Sequence, residues 1–314
     1  MTSGAEFILQ ADTFDHQLSS GYQYMHKCSV QNIILAAIFS LVAISVTAQK
    51  VQEPKATNPE WSQPYQPLRI AGNLYYVGTY ELACYLITTT DGNILINTGL
   101  AASASQIKNN IETLGFKFAD TKILLTTQVH YDHVGAMAAI KKMTGAQLMV
   151  DEKDAAVLAD GGNSDYAFGG NGSLFEPVKA DRLLHDSDTI QLRDMQLVML
   201  HHPGHTKGSC SFLFTVKDDQ RSYKVLIANM PTIVTEKKFA DVIGYPEIAR
   251  DYAYTLKAMK NISFDIWLAS HTSQYKLHDK HQPRDAYNPA AFTDKQGYDA
   301  AISDLQKQYD EKIR

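Results

Sequence analysis

From Leu74 onward the chain alternates short apolar runs, the length of single strands, with stretches whose apolar residues recur at helical spacing. Short runs rich in Val, Ile, Leu and aromatics favour strands, whereas apolar residues at i, i+3, i+4 and i+7 give a helix one buried face. The pattern predicts strands at Leu74–Val77, Cys84–Thr88, Asn93–Asn97, Ile123–Thr127, Leu148–Val150, Gln196–Leu200, Ser211–Val216, Lys224–Ala228 and Asp265–Ala269. Helices are predicted at Ala102–Leu114, Val134–Met143, Glu152–Ala159, Pro246–Lys260 and Asp294–Lys312. Strands and helices interleave after a Pro-rich entry, Pro54 to Pro67, without a detectable internal repeat, as in one α/β domain. The segment 161–172 is too rich in Gly for a regular element and too long for a simple turn, so it is expected to be a rim loop.

The first 48 residues follow a different pattern. Met25-His-Lys-Cys is a short basic lead-in, Ile33 to Val46 is a 14-residue apolar run, and Val46-Thr-Ala48 supplies small residues before Gln49. That is the order of a secretory signal peptide, and the run falls short of the ~20 apolar residues of a membrane span. Residues 25–48 are therefore expected to be a signal peptide cleaved near Ala48, with 49–314 as the mature, exported, periplasmic domain. Residues 1–24 carry Glu6, Asp12 and Asp15 but no Lys or Arg, fit no part of a signal, and are expected to be a non-native extension preceding a start at Met25. Cys28 lies before the apolar run instead of closing it, against a lipid anchor.

At 314 residues and 45% apolar content, the chain can bury a sizeable core. Removing residues 1–48 takes away Lys27 and three acids, leaving 28 basic and 31 acidic residues and a net charge of −3. No basic run or stripe appears, which argues against a nucleic-acid or anionic-membrane partner. Cys84 and Cys210 both sit in apolar strand-like runs and are expected to be buried, unpaired thiols.

The chemistry concentrates in Thr126-Thr-Gln-Val-His-Tyr-Asp-His-Val-Gly135, where Gln128, His130, Asp132 and His133 fall within six positions after the apolar Ile123-Leu-Leu. Such a cluster is costly to bury unless a metal organises it. Strand alternation aims Gln128 and His130 to one side, and the following turn swings Asp132 and His133 toward a second point. An exposed polar loop is the alternative. Two distant histidines weigh against it: His205 in His201-His-Pro-Gly-His-Thr-Lys-Gly-Ser, and His271 after Phe264-Asp-Ile-Trp-Leu-Ala-Ser. Each follows an apolar run, where open α/β sheets gather their ligands.

These motifs resemble the metallo-β-lactamase superfamily, whose hallmark is His-x-His-x-Asp-His, then a His in a Gly-His-Thr-x-Gly-Ser setting, then a late strand-end His. The likeness runs from about Tyr65 to the C-terminus. It is most like the third subclass of class B, and within it the GOB type, which shares Gln at the first ligand position and the stretch Ile227-Ala-Asn-Met-Pro231.

The resemblance implies an αββα sandwich with a metal cleft at one edge of two packed mixed sheets. It implies one zinc on Gln128, His130 and His205 and a second on Asp132, His133 and His271, with Asp132 and His133 catalytic. A Gln carbonyl is a poorer donor than imidazole, so the first site is expected to bind zinc more weakly and to be only partly occupied if either is. Asn229, Met230 and Thr232 fall where substrate is bound, and Tyr166, Phe168 and Trp61 are candidates for the cleft rim. Asn97 replaces the superfamily's usual Asp and is a candidate partner for the Gln128 amide. His202 is expected to support the ligands and His185, His278 and His281 to lie at the surface, with His201 undecided.

The activity implied is zinc-dependent hydrolysis of penicillins, cephalosporins and carbapenems by metal-bound hydroxide, in a monomer that takes a small-molecule substrate and confers antibiotic resistance. Rival readings are another hydrolase of the superfamily (a glyoxalase II-like thioesterase, a lactonase or a phosphodiesterase) and a zinc-binding scaffold without catalysis. The first rival commonly uses a bridging Asp where this chain has Met230.

Overall fold

Alternation along three neighbouring strands sets the layering. In β3 (Tyr85–Thr89), β4 (Gly92–Ile96) and β5 (Thr121–Leu125), side chains at every second position face opposite ways. Tyr85, Ile87, Ile94, Ile96, Ile123 and Leu125 join the core between two sheets, whereas Leu86, Leu95 and Leu124 join a second core under helices. Strands covered on both faces read as nearly continuous apolar runs, which is why the sequence shows them plainly.

The computed structural model describes residues 51–55 and 58–314, all within one compact unit, Gln49–Arg314. The expectations for residues 1–24 and 25–48 lie outside the described residues. The first sheet runs in chain order from β1 (Leu68–Ala71) and β2 (Leu74–Tyr76) through β3, β4 and β5 to β6 (Gln147–Asp151) and β7 (Arg182–Leu184). It is antiparallel up to β4 and parallel from β4 to β7. The second contains β8 (Thr189–Leu192), β9 (Met195–His201), β10 (Cys210–Lys217), β11 (Ser222–Ala228) and β12 (Ile266–Ala269), ordered β12-β11-β10-β9-β8, with only β11 and β12 parallel.

Helices α1 (Ala104–Thr113) and α3 (Met137–Thr144) cover the outer face of the first sheet through Ile107, Ile111, Met137 and Ile140. A short helix, α2 (Tyr131–Val134), separates them, and α4 (Ala155–Ala159) follows β6. Helices α5 (Ile248–Met259) and α7 (Lys295–Lys312) pack Leu256, Met259, Tyr298, Ile302 and Leu305 against the second sheet, and the four-residue α6 (Leu277–Lys280) precedes α7. The layers are helix, sheet, sheet, helix, as expected. Among the described residues no helix is long and apolar enough to cross a membrane.

Three strands escaped the sequence reading: β1, β7 and β8 are edge or next-to-edge strands of three or four residues with mixed burial, too short for a period to show. One expectation needs correction. Strand pairing in β5 ends at Leu125, so the alternation invoked for Gln128 and His130 does not extend to them; they lie on an irregular loop that leads into α2. Cys84 and Cys210 are buried free thiols, as expected.

Candidate metal centre

All the clustered polar residues lie where strands end along one edge of the sandwich. The loop after β5 carries Gln128 and His130, and α2 carries Asp132 and His133. The β9–β10 connection carries His205, and His271 comes two residues after β12. The loops are stitched together beneath these side chains. Cys210 N–H donates to Thr127 O (2.8 Å), the Thr127 and Ser270 hydroxyls lie 2.8 Å apart, and Ala83 N–H donates to Ser270 O (3.0 Å).

Asp132, His133 and His271 converge. One donor atom from each lies within 4.8 Å of the others. Asp132 Oδ2 is 3.2 Å from His133 Nε2 and 3.3 Å from His271 Nε2, and the two rings stand nearly perpendicular, 88° apart. Burial raises the Asp132 pKa, but His133 and His271 outweigh it and hold the carboxyl well below its usual range. Burial also lowers His271, yet Asp132 and Glu81 on either side push it up to about 9.

Glu81 turns His271 to face Asp132. Its Oε1 lies 3.4 Å from His271 Nδ1, and the carboxylate is itself fixed by Thr272 Oγ1 (2.7 Å) and Ser273 Oγ (2.5 Å). With Nδ1 turned to a carboxylate, Nε2 is free to serve as a ligand. The sequence reading missed Glu81; its only signal was a lone acid beside the apolar Leu82-Ala-Cys-Tyr-Leu.

The second grouping is His130 with His205, whose Nδ1 and Nε2 approach to 3.2 Å. His205 Nδ1 is occupied by Thr232 O (2.7 Å), and Tyr252 OH donates to the same carbonyl (2.8 Å). Burial together with neighbouring His130 lowers His205 to about 3, which keeps the ring neutral and able to donate its lone pair. Gln128 is 3% exposed, and its Oε1 has no hydrogen-bond partner. His133 Nε2 also lacks one. Buried acceptors without partners are costly, and N and O donors that converge on one point, as Asp132, His133 and His271 do beside the His130–His205 pair, are what zinc requires. The residues present therefore fit the metal.

Asp154, which the sequence did not single out, ties together the loops that carry His130 and His205. Its Oδ2 accepts from Val129 N–H (3.2 Å), between Gln128 and His130, and from Thr206 Oγ1 (2.6 Å), next to His205. Its Oδ1 accepts from Gly208 N–H (2.8 Å). A Cβ on Gly208 would sit 2.6 Å from Asp154 N, so only glycine allows this approach. Burial pushes the Asp154 carboxyl up to about 6 despite these donors.

Asn97 does not reach the Gln128 amide. Its Oδ1 instead accepts from Thr127 N–H (2.9 Å) and lies 3.2 Å from Thr126 Oγ1, holding the strand end that leads to Gln128. Met230 is 3% exposed and belongs to the core between the sheets, so it packs there. Asn229 is buried as well, with its N–H donating to Ser211 Oγ (3.1 Å) and its Nδ2 without a partner. Thr232 is half-buried and buttresses His205.

Trp61 lies 5.8 Å from the His271 ring, and Phe168 lies edge-on to His130 at 4.9 Å, so both border the clustered histidines. Tyr166 OH donates to Gly204 O (3.2 Å) and His205 O (3.1 Å). His202 is buried with Nδ1 2.7 Å from Ser211 Oγ, and His201 pairs with Asp151 at 2.7 Å. His185 is exposed, but His278 is half-buried beneath a stacked Tyr80 ring 3.7 Å away, and His281 is also half-buried.

Residues 81–218 match the sequence profile of the Metallo-beta-lactamase superfamily. The chain belongs to that superfamily. It is similar to the class B3 di-zinc metallo-beta-lactamase LRA-12 from an Alaskan soil metagenome, with 71% identity and a TM-score of 0.83 over 84% of this chain and 100% of that one. It is similar also to the metallo-beta-lactamase GOB-18 from Elizabethkingia meningoseptica, with 56% identity and a TM-score of 0.84 over 85% of this chain and 98% of that one. A probable metallo-hydrolase from Burkholderia pseudomallei is 33% identical over 117 residues, 36% of this chain; the chain spans only 37% of that curated relative's length.

Proposed function

We propose that the protein hydrolyses the β-lactam amide bond of penicillins, cephalosporins and carbapenems with zinc held at two points, as an exported periplasmic monomer. The observation that carries this reading is the convergence of Asp132, His133 and His271 within 4.8 Å, beside the His130–His205 pair and the unpartnered Gln128 Oε1. A thioesterase of the same superfamily is less favoured, because no carboxylate occurs in Asn229-Met-Pro231 and Met230 is committed to the core.

Gln128, His130 and His205, and Asp132, His133 and His271, would hold zinc, which when bound would supply Lewis acidity toward the amide carbonyl, a water molecule and the departing nitrogen. Asp132, kept ionised by its two histidines, accepts a hydrogen bond from the attacking water and orients it. His133, neutral because burial lowers its pKa, keeps a lone pair directed at the same point as Asp132 Oδ2. The half-buried Thr232 hydroxyl is the group available for the substrate carboxylate. Trp61 and Phe168 supply apolar walls beside the clustered histidines.

The test is turnover of a chromogenic cephalosporin before and after chelation, alongside an acyl thioester. Hydrolysis of the cephalosporin that is lost with chelator and restored by zinc is expected. Turnover of the thioester alone, or of neither, would overturn the assignment.

A further inference from the structure

The glycine-rich segment 161–172 holds a carboxylate with two separate duties. Asp165 Oδ1 accepts from Ala167 N–H (2.9 Å) and Phe168 N–H (2.8 Å), which closes the loop on itself. Its Oδ2 lies 3.4 Å from His130 Nε2, a charge-pair distance, and that buried nitrogen has no hydrogen-bond partner. On the other side of that ring, His130 Nδ1 is 3.2 Å from His205 Nε2. A neutral imidazole carries one proton, and a carboxylate beside Nε2 draws it there, leaving the Nδ1 lone pair free.

We propose that Asp165 is the positioning residue of the Gln128–His130–His205 metal site, selecting the His130 tautomer whose Nδ1 is the donor atom. The inference rests on the reading of those three residues as a zinc site. It carries particular weight in this chain because Gln128 brings a neutral, weak donor, and a buried carboxylate behind His130 adds negative charge that Gln128 does not. The same loop fixes the other histidine: Tyr166 OH donates to the carbonyls of Gly204 and His205, and Phe168 stands edge-on to the His130 ring. Both imidazoles of the site are thus held by three residues within four positions of one loop, Asp165, Tyr166 and Phe168.

Asp165→Asn separates the two duties. The amide oxygen can still accept from Ala167 and Phe168, while its NH2 now faces His130 Nε2 and forces the ring proton onto Nδ1. Zinc would be titrated into chelator-stripped wild type and variant against a chromophoric competitor, and the His130 tautomer of the stripped proteins read from 15N–1H correlations of the ring. Wild type is expected to take two zincs and show Nε2–H. The variant is expected to show Nδ1–H and to lose about 10- to 100-fold in affinity at one site, with the other unchanged. Tyr166→Phe, which loosens the loop without touching the proton, is expected to keep the wild-type tautomer. Wild-type affinities and tautomer in Asp165→Asn would overturn the proposal, as would a tautomer switch in Tyr166→Phe. A wild type that takes a single zinc would instead remove the metal reading of Gln128, and the proposal with it.

Discussion

Replacing Asp154 with Asn should loosen both ligand loops at once. The carboxylate satisfies Val129 N–H and Thr206 Oγ1 through one oxygen and Gly208 N–H through the other. Asn has a single acceptor oxygen. Whichever way the amide turns, at least one buried donor loses its partner and meets an NH2 group instead. Thr206 keeps a fallback in Ser209 Oγ at 2.8 Å, but the two main-chain N–H groups have none. An orphaned buried donor costs about 1–3 kcal/mol, and that is the expected loss of stability in urea unfolding at pH 7. The damage should also reach the metal, because Val129 lies between Gln128 and His130 while Thr206 adjoins His205. Zinc retention against a competing chelator should weaken by about tenfold or more, with the slope of the unfolding curve against urea unchanged. A variant within about 0.5 kcal/mol of wild type, with zinc retention intact, would show that the loops hold their ligands without Asp154.

Glu81→Gln removes the charge behind His271 and should lower zinc affinity by about 10- to 100-fold, read as a rise in the zinc concentration needed for half-maximal turnover. Tyr252→Phe deletes one hydrogen bond to Thr232 O and should cost about 0.5–1.5 kcal/mol in thermal or urea unfolding, with cephalosporin turnover at saturating zinc close to wild type. His202 is buried and lowered from 6.5 to about 4, so the unfolded chain binds its proton first as the pH falls. Its contribution to stability is present above about pH 6.5 and is lost as the pH falls toward 4, and His202→Gln should remove about one proton from the acid-unfolding slope. An unchanged slope would show that His202 is already charged in the fold.

The layers were legible in the sequence for one reason. Strands β3 to β6, β11 and β12 are largely buried, so burial imposed apolar runs, and the clustered polar residues follow strand ends. Where the pattern carried no such constraint, sequence reading failed. Arg182–Leu184 and Thr189–Leu192 are too short and too exposed for alternation to register. Glu81, Asp154 and Asp165 were missed because their roles depend on which loop lies across from them, and no spacing along one chain encodes that. Asp165 lay inside a segment already singled out, where the neighbouring aromatics Tyr166 and Phe168 looked like the functional pair. Asn97 was misassigned for a related reason: its chemistry suited the Gln128 amide, but its φ of 62° turns it toward Thr126 and Thr127.

The donor atoms are divided between the two sheets, Gln128, His130, Asp132 and His133 following the first and His205 and His271 the second. Neither half owns a complete set. An ion seated on either trio is therefore a rivet through the seam of the sandwich, and its binding energy counts toward keeping the halves together. A severed half would offer zinc an incomplete set of donors and hold it more weakly, whereas the joined protein should grow harder to pull apart with each ion it takes up.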